Sequence, residues 1–270
     1  MKKRAVFAVM TTVALLGTSI NVALAESDTA TISSIEQTIP KTMPPGTTIT
    51  YDQNNQMIIK KPEIEAQANK YIVTSISEEE KMKLDAEEKE VLKKVEEERA
   101  SLPVYHLSEP ELPKPQPGMT VFYDGMGLPT IIIDAQGKTV GDIQPMWDKG
   151  VGTYVYGNNN KITISSDSVL GEGTVTWFDG VGKTGSDGTK LTEEDCATKQ
   201  SIDIPPKGTE ISVRNLEKNI VGTVYKYTVG TLPDAIVDIM PNKMSFYYKT
   251  PIGTYPYPYG SFNGRYYHTR

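Results

Sequence analysis

The sequence of 270 residues is poor in the residues on which several common activities and cross-links depend. It has one cysteine, Cys196, so it cannot form an internal disulfide bond, and its stability must come from the burial of apolar surface. Its two histidines, His106 and His268, lie far apart and lack the spacing of metal ligands. We interpret Cys196 as a small buried residue, with a reactive thiol as the alternative, and we predict no metal and no cofactor.

Basic residues and long apolar runs are also scarce. The sequence has 28 Lys and Arg against 34 Asp and Glu, which gives a formal net charge of −6. Nucleic acids and anionic lipids select basic surfaces, so we predict no nucleic-acid partner and no adhesion to lipid. The apolar run at residues 5–16 is too short to cross a bilayer, so we also predict no membrane span.

Residues 1–25 have the pattern of a secretory signal peptide. Basic residues precede the apolar run, and Ala23 and Ala25 supply the small side chains that a cleavage site requires. No cysteine that would carry a lipid lies near this point. We therefore expect a secreted, extracellular protein. We expect residues 26–42, which are rich in Ser and Thr, to form a flexible leader.

Two segments of the N-terminal half are similar to each other. Residues 43–75 predict a β-hairpin, because two β-prone runs flank an Asn-Asn turn. Residues 44–52 line up with residues 116–124, and each segment is followed by a polar or glycine turn and then by an isoleucine run. This pattern indicates a duplicated hairpin.

Residues 77–101 predict one long acidic helix. The segment contains no Gly or Pro, and Ser77 is followed by three glutamates, as is typical of a helix N-cap and an acidic first turn. Leu84, Val91 and Val95 share one face. We interpret the segment as a solvated helix that packs on a neighbouring β-module through this stripe. The alternative is a spacer or partner-binding helix.

A proline-rich segment separates this helix from a β-rich region. Residues 102–117 contain five prolines, which disfavour helix and central strand alike, so we predict an extended linker and a domain boundary. The alternative is a proline-rich ligand for an aromatic groove. Residues 118–168 alternate β-prone runs with turns, which predicts a small β-module in which we find no chemistry.

Residues 171–248 carry an ordered series of motifs. An aromatic strand with a Gly-x-Gly loop, residues 173–182, is followed by a Pro-Lys-Gly-Thr turn at 206–209 and by an apolar strand with one acid at 236–241. This order resembles the double-psi β-barrel of the expansin and rare-lipoprotein-A group. The resemblance implies a mainly β fold, in which a C-terminal six-stranded double-psi β-barrel follows the small β-module and the long acidic helix.

The resemblance also implies a site. In this group the barrel holds an extended polysaccharide in an open groove with a carboxylate at its floor, and that acid matches Asp238. Asp238 would be the catalytic acid of a lytic reaction, and its apolar neighbours would raise its pKa. Thr176 matches a polar groove contact, and Trp177 is either a stacking platform or a core ring. The alternative for Asp238 is a structural carboxylate that caps a turn or binds a backbone amide.

The sequence departs from the family pattern at a second acid. The family places this acid in an Asp-Arg-Gly-Pro-like segment, but residues 227–233 contain no carboxylate. Asp234 follows several residues too late to take that place without a loop rearrangement, so we retain it only as a candidate substrate-binding residue. The departure puts lysis in doubt and leaves polysaccharide binding untouched.

Residues 249–270 form a tyrosine-rich tail. Prolines keep its centre extended, and Tyr255, Tyr257 and Tyr259 alternate with them. Tyrosine rings stack on the apolar faces of sugars while their hydroxyls reach ring oxygens, so these three are candidate substrate-binding residues. The alternative is a tail that packs on the barrel or stays disordered.

These observations leave three hypotheses open. The leading one is an exported, cell-wall-associated protein whose barrel binds peptidoglycan or a related polysaccharide, without cleaving it or cleaving it only weakly. The enzyme alternative is a peptidoglycan lytic transglycosylase that uses Asp238 as its general acid. The third is a secreted structural or antagonistic factor that binds another protein. The sequence does not indicate whether the protein is a monomer or an oligomer.

Overall fold

The structure of the chain is a computed structural model. It describes residues 29–32, 38–61, 76–108, 111–140, 149–186, 188–248 and 260–270. The predicted signal peptide at residues 1–25 lies outside these residues. The described part of the chain is mainly β-strand with two α-helices, which confirms the predicted fold class.

The described strands form two sheets. They are β1 (Thr29–Ile32), β2 (Thr48–Tyr51), β3 (Met57–Lys60), β4 (Val104–His106), β5 (Thr120–Tyr123), β6 (Pro129–Ile133), β7 (Gly152–Tyr156), β8 (Asn160–Ile164), β9 (Ser168–Trp177), β10 (Asp195–Lys199), β11 (Glu210–Asn215), β12 (Ile220–Gly230), β13 (Val237–Ile239) and β14 (Ser261–Thr269). The helices are α1 (Glu78–Arg99) and α2 (Pro241–Tyr248).

An antiparallel sheet, the N-terminal sheet, contains β1, β3, β2, β5 and β6 in that order. The two hairpins that the sequence predicts, β2–β3 and β5–β6, are both present, and they pair with each other through β2 and β5. Ile49, Val121 and Ile132 are buried together in its apolar core. The duplicated hairpin therefore builds one small sheet with its own core.

Three turns of this sheet share one design, in which an aspartate caps the turn. Oδ1 of the aspartate accepts hydrogen bonds of 2.7–2.9 Å from the amides two and four residues later, at Asp52, Asp124 and Asp134. The residue three positions after the aspartate has a positive φ, which is 61° at Asn55, 80° at Gly127 and 78° at Gly137. Asn and Gly tolerate this conformation, so an Asp followed three residues later by Asn or Gly encodes each turn.

Strands β9 to β14 form a closed six-stranded mixed barrel. Its order is β13-β10-β12-β11-β14-β9, and β13 pairs with β9 to close the ring. The pairs β10–β12 and β9–β13 are parallel, and the other four pairs are antiparallel. The barrel is compatible with a double-psi β-barrel.

The barrel extends beyond the boundary at residue 248 that the sequence predicts. β14 lies within the predicted tail and is inserted between β9 and β11, with Phe262 and Tyr266 buried. At the other end, β7 and β8 extend the barrel sheet from β9, and β4 from the predicted linker lies at its edge. The described strands within residues 118–168 are thus divided between the two sheets, in contrast to the predicted single β-module.

Helix α1 packs on the barrel through the predicted stripe. The hydroxyl of Ser77 caps it by accepting a hydrogen bond of 3.1 Å from the amide three residues later. Val91 and Val95 pack against Leu170 of β9 and Tyr267 of β14. Among the described helices, none has the length and apolar character needed to cross a membrane.

An ion-pair network fixes the same face of α1. Glu88 is buried on the stripe, where its Oε1 accepts a hydrogen bond of 2.8 Å from Arg265 and its Oε2 accepts one from Arg214. Asp85 accepts another from Arg214. The two arginines belong to β14 and β11, so charge as well as apolar burial joins the helix to the barrel.

Candidate functional site

The site implied by the family resemblance lies where β13 pairs with β9. The two strands run parallel, and Asp238 stands opposite Thr176 in the register. Both side chains are fully buried, with 0% of their surface exposed. Val237 and Ile239, on either side of the acid, are also buried, so the carboxyl group of Asp238 lies in an apolar environment.

A turn of the N-terminal sheet covers this site. We call residues 124–130 the covering turn. The hydroxyl of Thr130 donates a hydrogen bond to Oδ2 of Asp238, and the amide of Gly125 donates one of 3.1 Å to the hydroxyl of Thr176. The expectation of an open groove with Asp238 at its floor is therefore wrong, because the chain's own turn closes the site.

The covering turn meets the barrel most closely at Gly125. A Cβ atom placed there would lie 2.2 Å from the carbonyl oxygen of Gly260 and 2.3 Å from Nε1 of Trp177. The hydroxyl of Thr176 donates a hydrogen bond of 2.8 Å to the same carbonyl oxygen. A side chain at position 125 therefore does not fit while the turn is seated on the barrel.

An apolar cluster holds the strands that flank the covering turn. Phe122 and Ile131 pack against four barrel residues, namely Phe178, Leu191, Ala197 and Met240. The rings of Phe122 and Phe178 meet edge to face with their centroids 6.2 Å apart. Burial of a large apolar side chain contributes about 1.5–3 kcal/mol, so this cluster strongly favours the closed arrangement.

The closed site contains two carboxyl groups with an increased proton affinity. Burial raises the pKa of Asp238 well above its usual range, and the nearby carboxyl of Asp124 raises it further, while the hydrogen bond from Thr130 opposes both effects. Burial also raises the pKa of Asp124 to about 7, against the lowering effect of the amides of its own turn. Both carboxyl groups therefore bind a proton more tightly than an exposed aspartate does.

Each of these carboxyl groups has one oxygen with no hydrogen-bond partner among the described residues. The two atoms are Oδ2 of Asp124 and Oδ1 of Asp238. Buried polar atoms in folded proteins are nearly always paired, so two such oxygens at one junction require an explanation.

The structure places two other predicted site residues elsewhere in the barrel. Trp177 is fully buried in the barrel core, so its ring is a core ring and not an exposed stacking platform. Asp234 accepts hydrogen bonds of 2.6 Å from the amide of Asn158 and 2.9 Å from the side chain of Asn160. Asp234 thus holds the turn between β7 and β8.

The remaining candidates concern the tail and the cysteine. Tyr255, Tyr257 and Tyr259 lie outside the described residues, so their contact with sugar stays a prediction. Cys196 is buried in β10, and burial raises the pKa of its thiol well above the usual range. A neutral thiol is a poor nucleophile, which favours a packing role over a reactive one.

A second buried polar cluster lies near the end of β14. Asp203 accepts a hydrogen bond of 2.7 Å from the hydroxyl of Tyr266, and Nε2 of His268 lies 3.1 Å from both of its carboxylate oxygens. Burial lowers the pKa of His268, but the carboxylate of Asp203 outweighs it, so the net shift is upward. Within the described ranges, no three His, Cys, Asp or Glu side chains are placed to hold a metal ion.

Sequence reasoning missed Asp124, Gly125 and Thr130 as parts of the site. The sequence signal for this contact is the type of residue that directly follows the aspartate of each turn. The two other Asp-capped turns have Gln53 and Ala135 there, whereas the covering turn has glycine. A glycine where its counterparts carry side chains indicates a close approach by another part of the molecule.

Part of the chain is similar to a known bacterial protein. No protein-family model matches the chain. The chain is 47% identical over 70 residues to a curated protein of Bacillus subtilis (strain 168) described as "Uncharacterized protein YdjM". The match covers 26% of this chain and 57% of that protein, so the chain spans little more than half the length of this relative. The similarity carries no activity from one protein to the other.

Proposed function

We propose that the protein is exported to the cell wall, where its barrel binds peptidoglycan or a related polysaccharide without cleaving it or cleaving it only weakly. The observation that carries this proposal is the polar pair Asp238 and Thr176, opposite each other in the parallel β13–β9 register. Asp238 accepts a hydrogen bond from a hydroxyl group of the covering turn, and Thr176 accepts one from an amide N–H of the same turn. A sugar that replaced the turn would offer the same kinds of hydrogen-bonding group.

The burial of Asp238 favours binding over lysis. A general acid must come within hydrogen-bond distance of the oxygen that it protonates. Asp238 is fully buried and its Oδ2 is already engaged by Thr130. Asp234, the acid that follows residues 227–233, is held by a neighbouring turn.

A peptidoglycan lytic transglycosylase is the second candidate function. The raised pKa of Asp238 favours it, because a general acid needs a carboxyl group that holds its proton more tightly than an exposed aspartate does. Such a reaction requires the covering turn to move away first. Binding of another protein, the third hypothesis, rests on the acidic outer face of α1.

Two assays on the purified protein separate these candidates. The protein is incubated with insoluble peptidoglycan, the pellet is assayed for protein, and the supernatant is assayed for anhydro-muropeptides. We expect protein in the pellet and little or no release of muropeptides. Release that disappears in Asp238→Asn would establish the lytic candidate instead, and release that persists in that variant would exclude Asp238 as the acid.

The tyrosine tail is tested in the same sedimentation assay. We expect the combined variant with Tyr255, Tyr257 and Tyr259 replaced by Ala to leave more protein in the supernatant, because stacking on sugar would be lost. Unchanged sedimentation would remove the tail from the binding surface. Failure of the native protein to sediment with any wall polysaccharide would reject the proposed function.

A further inference from the structure

Asp124 is set apart from its counterparts in the other two Asp-capped turns. Asp52 and Asp134 cap their turns in the same way but are partly exposed, whereas Asp124 is completely buried. Capping uses only Oδ1 of Asp124. Its second oxygen, Oδ2, is buried without a hydrogen-bond partner among the described residues, so turn capping does not account for it.

The same unusual state occurs in Asp238, which lies on the barrel side of the junction. Asp238 is also completely buried, and its Oδ1 likewise lacks a hydrogen-bond partner in the described part of the chain. The covering turn brings the two residues to one junction, because Thr130 bonds to Asp238 and Gly125 bonds to Thr176. Asp124 directly precedes Gly125, whose amide bonds to Thr176, and Thr176 stands opposite Asp238 in the β13–β9 register.

We propose that Asp124 is the second carboxyl group of the candidate site, and that Asp124 and Asp238 share one proton and form a composite binding site for a hydroxyl-rich glycan. This inference rests on the proposed function. The N-terminal sheet thereby supplies the acid that residues 227–233 of the barrel lack.

A carboxyl pair that holds one proton suits a sugar hydroxyl as a ligand. The protonated member donates a hydrogen bond and the ionised member accepts one, so the pair satisfies both roles of a hydroxyl group. In the closed structure the hydroxyl of Thr130 occupies Oδ2 of Asp238. A glycan hydroxyl takes that place when the Thr130 side chain turns away from Asp238 while Asp124 stays at the junction, and no covalent step is involved.

Other titratable groups also face this pair. Asp234 adds a negative charge that raises the pKa of Asp124. Tyr156 and Cys196 both lie near Asp238, and burial raises the pKa of each well above its usual range. Tyr156 and Cys196 are therefore neutral at neutral pH and leave the two carboxyl groups as the groups that exchange the proton.

The test is the titration of Asp238 in Asp124→Asn, followed by carboxyl ¹³C NMR. Asparagine retains a side-chain oxygen that can cap the turn, so the structural role of position 124 is preserved. If the pair exists, loss of the neighbouring negative charge lowers the titration midpoint of Asp238 by about one pH unit or more. Asp134→Asn, which changes the same position of an equivalent turn, leaves the midpoint unchanged.

An unchanged midpoint in Asp124→Asn overturns the pair. Should that variant not fold, the native protein provides the same test, because Asp238 titrates in two coupled steps if the pair exists and in a single step if it does not.

Sedimentation with insoluble peptidoglycan distinguishes this inference from the proposed function. A shifted midpoint together with several-fold weaker sedimentation of Asp124→Asn, but not of Asp134→Asn, supports both. A shifted midpoint with no sedimentation of the native protein rejects the proposed function. The two carboxyl groups then share a proton but do not bind a glycan. A shifted midpoint with equal sedimentation of the native protein and Asp124→Asn overturns Asp124 as a site residue, while the proposed function stands.

Discussion

The hydroxyl of Thr130 donates a hydrogen bond to the carboxyl group of Asp238 across 108 residues of sequence. This bond joins the N-terminal sheet to strand β13 of the barrel, where Asp238 stands opposite Thr176 of β9. The site is therefore closed by a segment of the same chain, and the access of any ligand depends on how readily that segment moves.

Gly125→Ala is predicted to loosen the covering turn. The added Cβ would lie 2.2 Å from the carbonyl oxygen of Gly260 and must push the turn away from the barrel. Such overpacking costs about 1–3 kcal/mol. The amide of Thr231, which donates to the carbonyl oxygen of Thr130 at 2.7 Å, is then expected to exchange its hydrogen about tenfold faster or more.

The control for this prediction comes from an equivalent turn of the same sheet. Gln53→Ala changes the residue after Asp52, which corresponds to Gly125. In this variant the amide of Thr231 is expected to exchange its hydrogen as fast as in the native protein. The amide of Ile236, which bonds to Thr174 at 2.8 Å within the barrel, reports global unfolding. Equal acceleration at Ile236 and Thr231 would mean that the variant unfolds as a whole and that the turn does not move by itself.

Stability is predicted to fall as the pH rises from about 4 to about 7. The folded-state pKa of Asp124 is raised to about 7, and that of Asp238 is raised as well, against about 3.9 for aspartate in an unfolded chain. The folded protein thus binds these protons more tightly, so their stabilising effect is complete below pH 4 and is lost as the pH approaches the folded-state pKa. For each group, the free energy of unfolding falls by at most about 1.4 kcal/mol per pH unit.

Urea denaturation at several pH values, on the native protein and on Asp124→Asn, measures this effect. His268 also has a raised pKa and loses stabilising energy in the same direction, so only the difference between the two proteins isolates Asp124. We expect the variant to lose less stability than the native protein between pH 4 and pH 7. Parallel curves for the two proteins would contradict a raised pKa at Asp124.

Much of the local structure could be predicted from the sequence. The Ser77 cap and the spacing of Leu84, Val91 and Val95 predict α1, and period-two runs with turn residues predict the two hairpins. These features depend on residues that are close together in the chain. For the same reason the order of motifs along residues 171–248 indicates a barrel.

The contacts that decide the site could not be predicted in this way. Thr130 and Asp238 meet because the N-terminal sheet docks on the barrel through Phe122 and Ile131, and no local periodicity encodes that docking. Strand β14 likewise joins the barrel from a segment whose tyrosines suggest a tail. Packing between residues that are distant in the sequence thus determines both the closing of the site and the insertion of β14.

Glu88→Gln is predicted to destabilise the protein by about 3 kcal/mol, because it removes a carboxylate that contacts both arginines of a largely buried network. Glu88 is 6% exposed at its side chain, and its partners Arg214 and Arg265 are 10% and 21% exposed. Equilibrium unfolding in urea measures the loss.

The matched control for this variant is Glu90→Gln on the exposed face of the same helix. Glu90 is 69% exposed and pairs only with Lys94 among the described ion pairs. A change of less than about 0.5 kcal/mol is expected there. Similar losses in both variants would show that the network contributes no more than a surface pair.

The most direct test of the account is the affinity of Gly125→Ala for insoluble peptidoglycan, measured by sedimentation beside the native protein and Gln53→Ala. Loosening the covering turn weakens the hydrogen bond by which Thr130 occupies Asp238, so we predict several-fold tighter binding by Gly125→Ala and equal binding by the other two proteins. Equal binding by all three proteins, or none by any of them, would contradict a polysaccharide site beneath this turn.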